Sequence, residues 1–115
     1  METTALNDLF GGRAAEAVML HVFHYGETYG RAIARDFAVS LDSVQRQLER
    51  FERCGALVCK CQGRTLVYSW NPKSRLAARL RDVIAVVHEG LSPQTKEEIF
   101  RERRQPRAKD KPVIR

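Results

Sequence analysis

Apolar positions in the first half of the chain recur at helical spacing. Between residues 13 and 25, Ala14, Ala17, Val18, Leu20, Val22 and Phe23 form one wide face, and Gly26 closes the helix they predict. Ahead of it, residues 5–10 read as a short helix ended by Gly11-Gly12. Thr28 is suited to cap a third helix through residue 37, with Ile33, Ala34 and Phe37 as its buried stripe. Ser40 is a good cap for a fourth, residues 41–53. Its Leu41, Val44, Leu48 and Phe51 fall on one side, and Gly55 stands just past its end.

The period then drops to two. Residues 57–61 and 65–70 are β-branched and aromatic-rich and flank Gln62-Gly63-Arg64, the pattern of a hairpin with Gly63 in its turn. Asn71-Pro72 ends the second strand, and Ser74 opens a helix through about residue 88 carrying Leu76, Leu80, Val83, Ile84 and Val87. Ser92-Pro93 supplies a cap and a first-turn proline for a last helix over residues 94–104. Residues 105–115 have no periodicity and are expected to form a basic flexible tail beyond one domain over residues 1–104.

This order predicts a mainly α fold with a small β-hairpin wing: a winged helix-turn-helix with an added C-terminal helix or helices. Only Ala38, Val39 and Ser40 separate the third helix from the fourth. So tight a turn fixes the fourth helix across the third and leaves its outer face as a ridge able to enter a major groove. With the apolar stripe assigned to the core, that face holds Asp42, Ser43, Gln45, Arg46, Glu49 and Arg50. Arg and Gln suit bidentate contact with base edges, which makes Gln45 and Arg46 the first candidates for base readout; Ser43 near the helix start suits a phosphate. Asp42 and Glu49 would repel phosphates unless they accept from cytosine N4 or orient a neighbouring Arg. Lys60 and Arg64 flank Gly63 at the hairpin, where a basic side chain can follow a backbone or enter a minor groove. Arg31, Arg35 and Arg50 complete the expected DNA contacts.

Charge distribution sharpens this picture more than the total of +6. Residues 1–30 are net −3 (Arg13 against Glu2, Asp8, Glu16 and Glu27) and residues 80–100 net −2. Residues 31–79 are net +6 and residues 101–115 net +5. A basic middle on an acidic scaffold suits a polyanionic partner, here double-stranded DNA. The 115-residue length fits one domain. Three cysteines, an odd number, suggest a reducing cytoplasm. The longest aliphatic run, residues 83–87, is far short of the roughly 20 residues of a membrane span, so no membrane association is expected.

The stretches LFGGRAAEAVMLHVF, YGRAIARDFAVSLDSVQRQLERFERCGALV and GRTLVYSWNP resemble ArsR-like winged helix-turn-helix transcriptional regulators. The resemblance covers roughly residues 8–85 and is closest to small modules that occur alone or joined to a nucleotidyltransferase domain. It implies a DNA-binding homodimer with residues 41–53 as reader. Ala38 departs from the family's pattern, which commonly has glycine in this turn.

ArsR-like proteins are often metal sensors, which raises Cys59, Cys61 and, as a third ligand, Cys54. Thiolates at i and i+2 on a strand share a side and suit a soft metal. The family's sensors, however, carry their Cys-x-Cys pair on the recognition helix. No metal and no cofactor is therefore expected, and the cysteines read as small residues on a packed strand. His21 and His24, at i and i+3, have no carboxylate partner placed by the sequence. His88 lies near a helix C-terminus, where a cation is favoured. No phosphate loop, nucleophile elbow or zinc-protease pair is present, so the chain is not expected to be an enzyme.

The helix from Ser74 is apolar over most of its circumference and must be buried on two sides. Leu76, Leu80, Val83 and Val87, with Leu6, Leu9 and Phe10, are the expected homodimer interface. The rival functions are a protein-interaction adaptor of the same fold, for example for a separately encoded nucleotidyltransferase-type partner, and a thiol-based metal-sensing repressor.

Overall fold

The computed structural model describes residues 3–100. Six helices and three strands occur among them: α1 (Ala5–Phe10), α2 (Arg13–Tyr25), β1 (Glu27–Thr28), α3 (Gly30–Phe37), α4 (Leu41–Arg53), β2 (Leu57–Gln62), β3 (Thr65–Trp70), α5 (Arg75–Glu89) and α6 (Pro93–Ile99). The fold is a winged helix-turn-helix: α3 and α4 are joined by the tight turn, and β2 and β3 form the wing.

Helix starts follow the expected serines. Ser40, Ser74 and Ser92 each accept a backbone N–H from the third residue beyond them, satisfying one of the orphan donors of a first turn. Thr4 does the same for α1 through Leu6 N. Thr28 does not cap α3. It belongs to the two-residue strand β1, and Tyr29 is the helix's N-cap, with no side-chain bond. The added strand pairs with β3 (Glu27 with Ser69, Thr28 with Tyr68), so the sheet runs β1-β3-β2, antiparallel throughout. In the wing, Gln62 is part of the strand and pairs with Thr65, which leaves Gly63 and Arg64 as a two-residue turn. The turn between α3 and α4 places Ala38 in the left-handed region (φ 55°, ψ 46°), where its Cβ crowds the following carbonyl. The last helix ends at Ile99, and residues 101–104 of its expected span, with the expected tail, lie outside the described residues.

The core gathers on α2, which is buried without a break from Ala15 to Val22. Val44, Leu48 and Phe51 of α4, Ile33 and Phe37 of α3, Tyr68 and Trp70 of the sheet, Ile84 of α5 and Phe100 belong to the same cluster. Two buried polar groups on α2 tie outlying elements to this helix. The Glu16 carboxylate is fully enclosed and accepts from Thr4 N, Thr4 Oγ1 (2.6 Å) and Arg13 (3.2 Å), which clamps α1 in place. His21, expected to have no carboxylate partner, has two partners: Asp36 of α3 and Thr28 of β1.

Leu6 is completely buried within its own chain, packed in the core that α2 organises, so it leaves the expected dimer surface. Phe10 is partly buried, its ring edge-on to Phe51 at 5.7 Å. Leu80 and Val87 also lean on the core. What stays exposed is Leu9 on α1 (65%) with Leu76 (50%), Val83 (43%) and Val86 (71%) on α5.

Candidate nucleic-acid interface

Helix α4 presents its surface row because Val44, Leu48 and Phe51 spend one side of it on the core. The side opposite, at spacings of four, three and four residues, is Asp42, Arg46, Glu49 and Arg53, all exposed. Arg53 was absent from the expected contacts, although it lies two turns beyond Arg46 on the same face and the 3.6-residue period alone would have found it. Asp42 and Arg46 form an ion pair at 3.1 Å, with side chains 80% and 75% exposed.

Ser43 sits at the flank of the row. Its Oγ lies 2.8 Å from the Ser40 hydroxyl, which also accepts the Ser43 backbone N–H. Arg50 lies at the edge and is held by the scaffold: its guanidinium donates to Phe10 O (3.3 Å) and lies 5.3 Å from the Phe51 ring centre. Gln45, expected on the outer face, does not stand clear of the surface. It is half-buried over the start of α3, where a Cβ on Gly30 would come within 2.9 Å of its Nε2. Gln47 is likewise half-buried, with its Oε1 enclosed and without a hydrogen bond. Both amides of the helix thus face the protein.

On α3, Arg31 and Arg35 share an exposed face one turn apart. Arg35 Nε lies 3.3 Å from Asp36 Oδ1, the same carboxylate that holds His21, so this face of α3 is linked to the interior of α2. In the wing, Arg64 occupies the turn itself. Lys60 does not: it pairs with Val67 well back from the tip, and its Nζ lies 3.3 Å from Glu27 of β1. The wing therefore offers Arg64 at its end and a partly neutralised lysine on its outer face.

Cys59 and Cys61 do share one side of β2, opposite Tyr68 and Leu66. Burial and a hydrogen bond to Cys59 push the Tyr68 phenol up to about 12. Cys61 donates to Gly63 O (3.1 Å) and Cys54 to Phe51 O (3.4 Å). Among the described residues no three His, Cys, Asp or Glu side chains gather as a metal site. No helix among them is long and apolar enough to cross a membrane.

Two histidines 64 residues apart in sequence, His24 and His88, come together. His24 Nδ1 and His88 Nε2 are 3.0 Å apart, and the His24 ring stacks on Phe100 with centroids 3.7 Å apart. His88 does not follow its helix-end position toward a favoured cation. Burial, and then the charge of Lys96, lower its pKa from 6.5 against the opposing pull of Glu89.

No protein-family model matches the sequence, and no curated protein matches it. Solved structures do share the fold. Overoxidized AbfR bound to DNA aligns with a TM-score of 0.54 at 16% identity, covering 87% of this chain and 74% of that one. Reduced AbfR bound to DNA aligns with a TM-score of 0.54 at 17% identity, covering 87% and 73%. The antimony-specific transcriptional repressor AntR aligns with a TM-score of 0.51 at 17% identity, covering 74% and 78%.

Proposed function

We propose that the chain is a DNA-binding transcriptional regulator of the ArsR-like kind that acts as a homodimer, with α4 in the major groove and the wing on the backbone or in the minor groove. The observation that carries this reading is the bare outer face of α4. Asp42, Arg46, Glu49 and Arg53 are exposed, α4 is joined to α3 by the Ala38 turn, and Arg64 stands in the turn of the wing. A helix held this way, with two arginines outward, fits the groove that admits an α-helix. The fold shared with AbfR and AntR supports it, since those proteins are, respectively, bound to DNA and a transcriptional repressor. Nothing in this reading calls for catalysis.

The second copy is assigned to the apolar strip of α5. Leu76, Val83 and Val86 are exposed along it, and Leu9 is exposed on α1. Arg75 and Glu89 flank the strip at opposite ends of the helix, about 20 Å apart. An antiparallel two-fold contact centred near Val83 would bring each Arg75 to its partner's Glu89. Reader helices should then lie about 34 Å apart, matching half-sites one helical turn apart.

The test is selection of bound DNA from a random pool at two salt concentrations. The proposal expects a two-fold symmetric motif. Arg46→Ala should relax the motif and cost about 1 to 3 kcal/mol, whereas Arg64→Ala should weaken all sequences alike. A flat sequence profile with a steep salt slope would reduce the activity to electrostatic attraction. No DNA binding, with a stable complex of a second protein, would favour the adaptor reading.

A further inference from the structure

Resting on the DNA-reading function proposed above, we infer that α4 reads G·C base pairs, with Asp42 and Glu49 as specificity-determining residues beside Arg46 and Arg53. Seven positions of α4 are exposed: Asp42, Ser43, Arg46, Glu49, Arg50, Glu52 and Arg53. None is Asn or Gln, the side chains whose paired donor and acceptor match adenine N7 and N6. The two glutamines that would serve are turned to the protein, Gln45 over Gly30 and Gln47 with its oxygen enclosed. Nor does any exposed position carry a methyl group for thymine C5. Ser43 can meet either kind of base pair, so what the face lacks is the bidentate and methyl-contact chemistry that singles out A·T.

What remains is complementary to G·C. Arginine forks onto guanine O6 and N7, and a carboxylate accepts from cytosine N4. Against adenine, the same carboxylate oxygens would meet N7, an acceptor, beside the N6 donor. The Asp42–Arg46 pair at 3.1 Å strengthens the assignment. One N–H of the guanidinium is held by Asp42, which steadies its plane, and others of its five donors remain for a guanine edge. Asp42 keeps lone pairs for a neighbouring cytosine amino group, and its charge disfavours the use of this helix on phosphate backbone alone. Arg46 and Arg53 are separated by about 10 Å along the helix, about three base-pair steps.

Full-length protein and a random DNA pool give the test, with Asp42→Asn and Asp42→Ala selected in parallel. The wild type should enrich G·C pairs at the contacted positions of each half-site, and replacing one by A·T should weaken binding by about 5- to 150-fold. Asp42→Asn, which keeps the size of an exposed side chain, should shift one position from cytosine toward adenine, and Asp42→Ala should flatten that position. Far-ultraviolet circular dichroism identical to wild type would establish that both variants are folded. A selected motif made of A·T pairs, or one that Asp42→Asn leaves unchanged, would overturn the inference while leaving DNA reading intact. Absence of any enriched motif would overturn both.

Discussion

His21 Nε2 and Asp36 Oδ2 stand 2.8 Å apart with side chains only 2% and 5% exposed, and Thr28 Oγ1 closes the other side of the ring at 2.7 Å from Nδ1. Three elements meet at this imidazole: the central helix α2, the first helix of the helix-turn-helix and the strand that anchors the wing. The contact therefore fixes α3 relative to the sheet, and α4 with it.

Asp36→Ala removes the acceptor and leaves a buried imidazole nitrogen without a partner. We expect a loss of about 2 to 4 kcal/mol in urea unfolding. Thr28→Val, which keeps the shape and removes the hydroxyl, should cost about 1 to 2 kcal/mol. Changes below about 0.5 kcal/mol in both would mean that water substitutes freely at the ring.

At Ala38 the opposite sign is expected. A left-handed alanine costs about 1 to 2 kcal/mol, of which glycine's extra unfolded-state freedom returns about 0.4 to 1. Ala38→Gly should therefore stabilise the fold by about 0.5 to 1 kcal/mol, read as a rise of a few degrees in Tm. A drop in Tm would show that the alanine methyl makes packing contacts worth more than the strain.

These two sites also mark what the sequence could and could not reveal. Ala38 stands out in the sequence only through the resemblance, as the position where the family's turn commonly has glycine, and the structure places it in the left-handed region that glycine favours. The helices are legible from their periods and serine caps, and Asp42, Arg46 and Glu49 of the exposed row on α4 from the positions left after the core is assigned, but not Arg53. The partnership of His21 was hidden because Asp36 lies 15 residues away on another helix, and no local spacing rule links them. Strand β1 is only two residues long, too short for any period to register. Gln45 looked outward because a wheel gives its angle but not the hollow that a missing Cβ at Gly30 opens beside it. Lys60 is close to Gly63 in sequence, but strand register sets it opposite Val67, two pairs back from the turn, where it meets Glu27 across β3.

Glu16 provides a test of the clamp on α1. Removing the carboxylate by Glu16→Ala strips Thr4 N and Thr4 Oγ1 of their acceptor and loosens the six-residue helix that carries Leu6 into the core. Hydrogen exchange of the α1 amides should accelerate more than that of α2. Uniform acceleration in both helices would mean that α1 and α2 unfold as one unit.

The apolar strip on α5 predicts the oligomeric state. Val83→Glu places a charge at the middle of the proposed two-fold contact, on a side chain already 43% exposed. The variant should keep the fold and sediment as a monomer at concentrations where the wild type is a dimer. Its affinity for a symmetric site should fall because the two readers are no longer linked. Wild type sedimenting as a monomer at the same concentration would remove α5 as a self-association surface.

The pH dependence of stability follows from His88. Partial burial and the nearby Lys96 charge favour its neutral ring in the folded chain, so it titrates below 6.5 there, while the unfolded chain takes up the proton near 6.5. Between those values the unfolded state binds more protons, so stability rises with pH. The contribution is fully present above pH 6.5 and is lost as pH falls through the lower folded value. Acidification also disturbs the partner at 3.0 Å, since a second proton between His24 Nδ1 and His88 Nε2 leaves two donors facing each other. Urea midpoints measured from pH 7.5 to 5 should fall, and the slope should be shallower in His88→Gln, whose amide can still meet His24. Parallel pH profiles for the two proteins would place the acid sensitivity elsewhere in the fold.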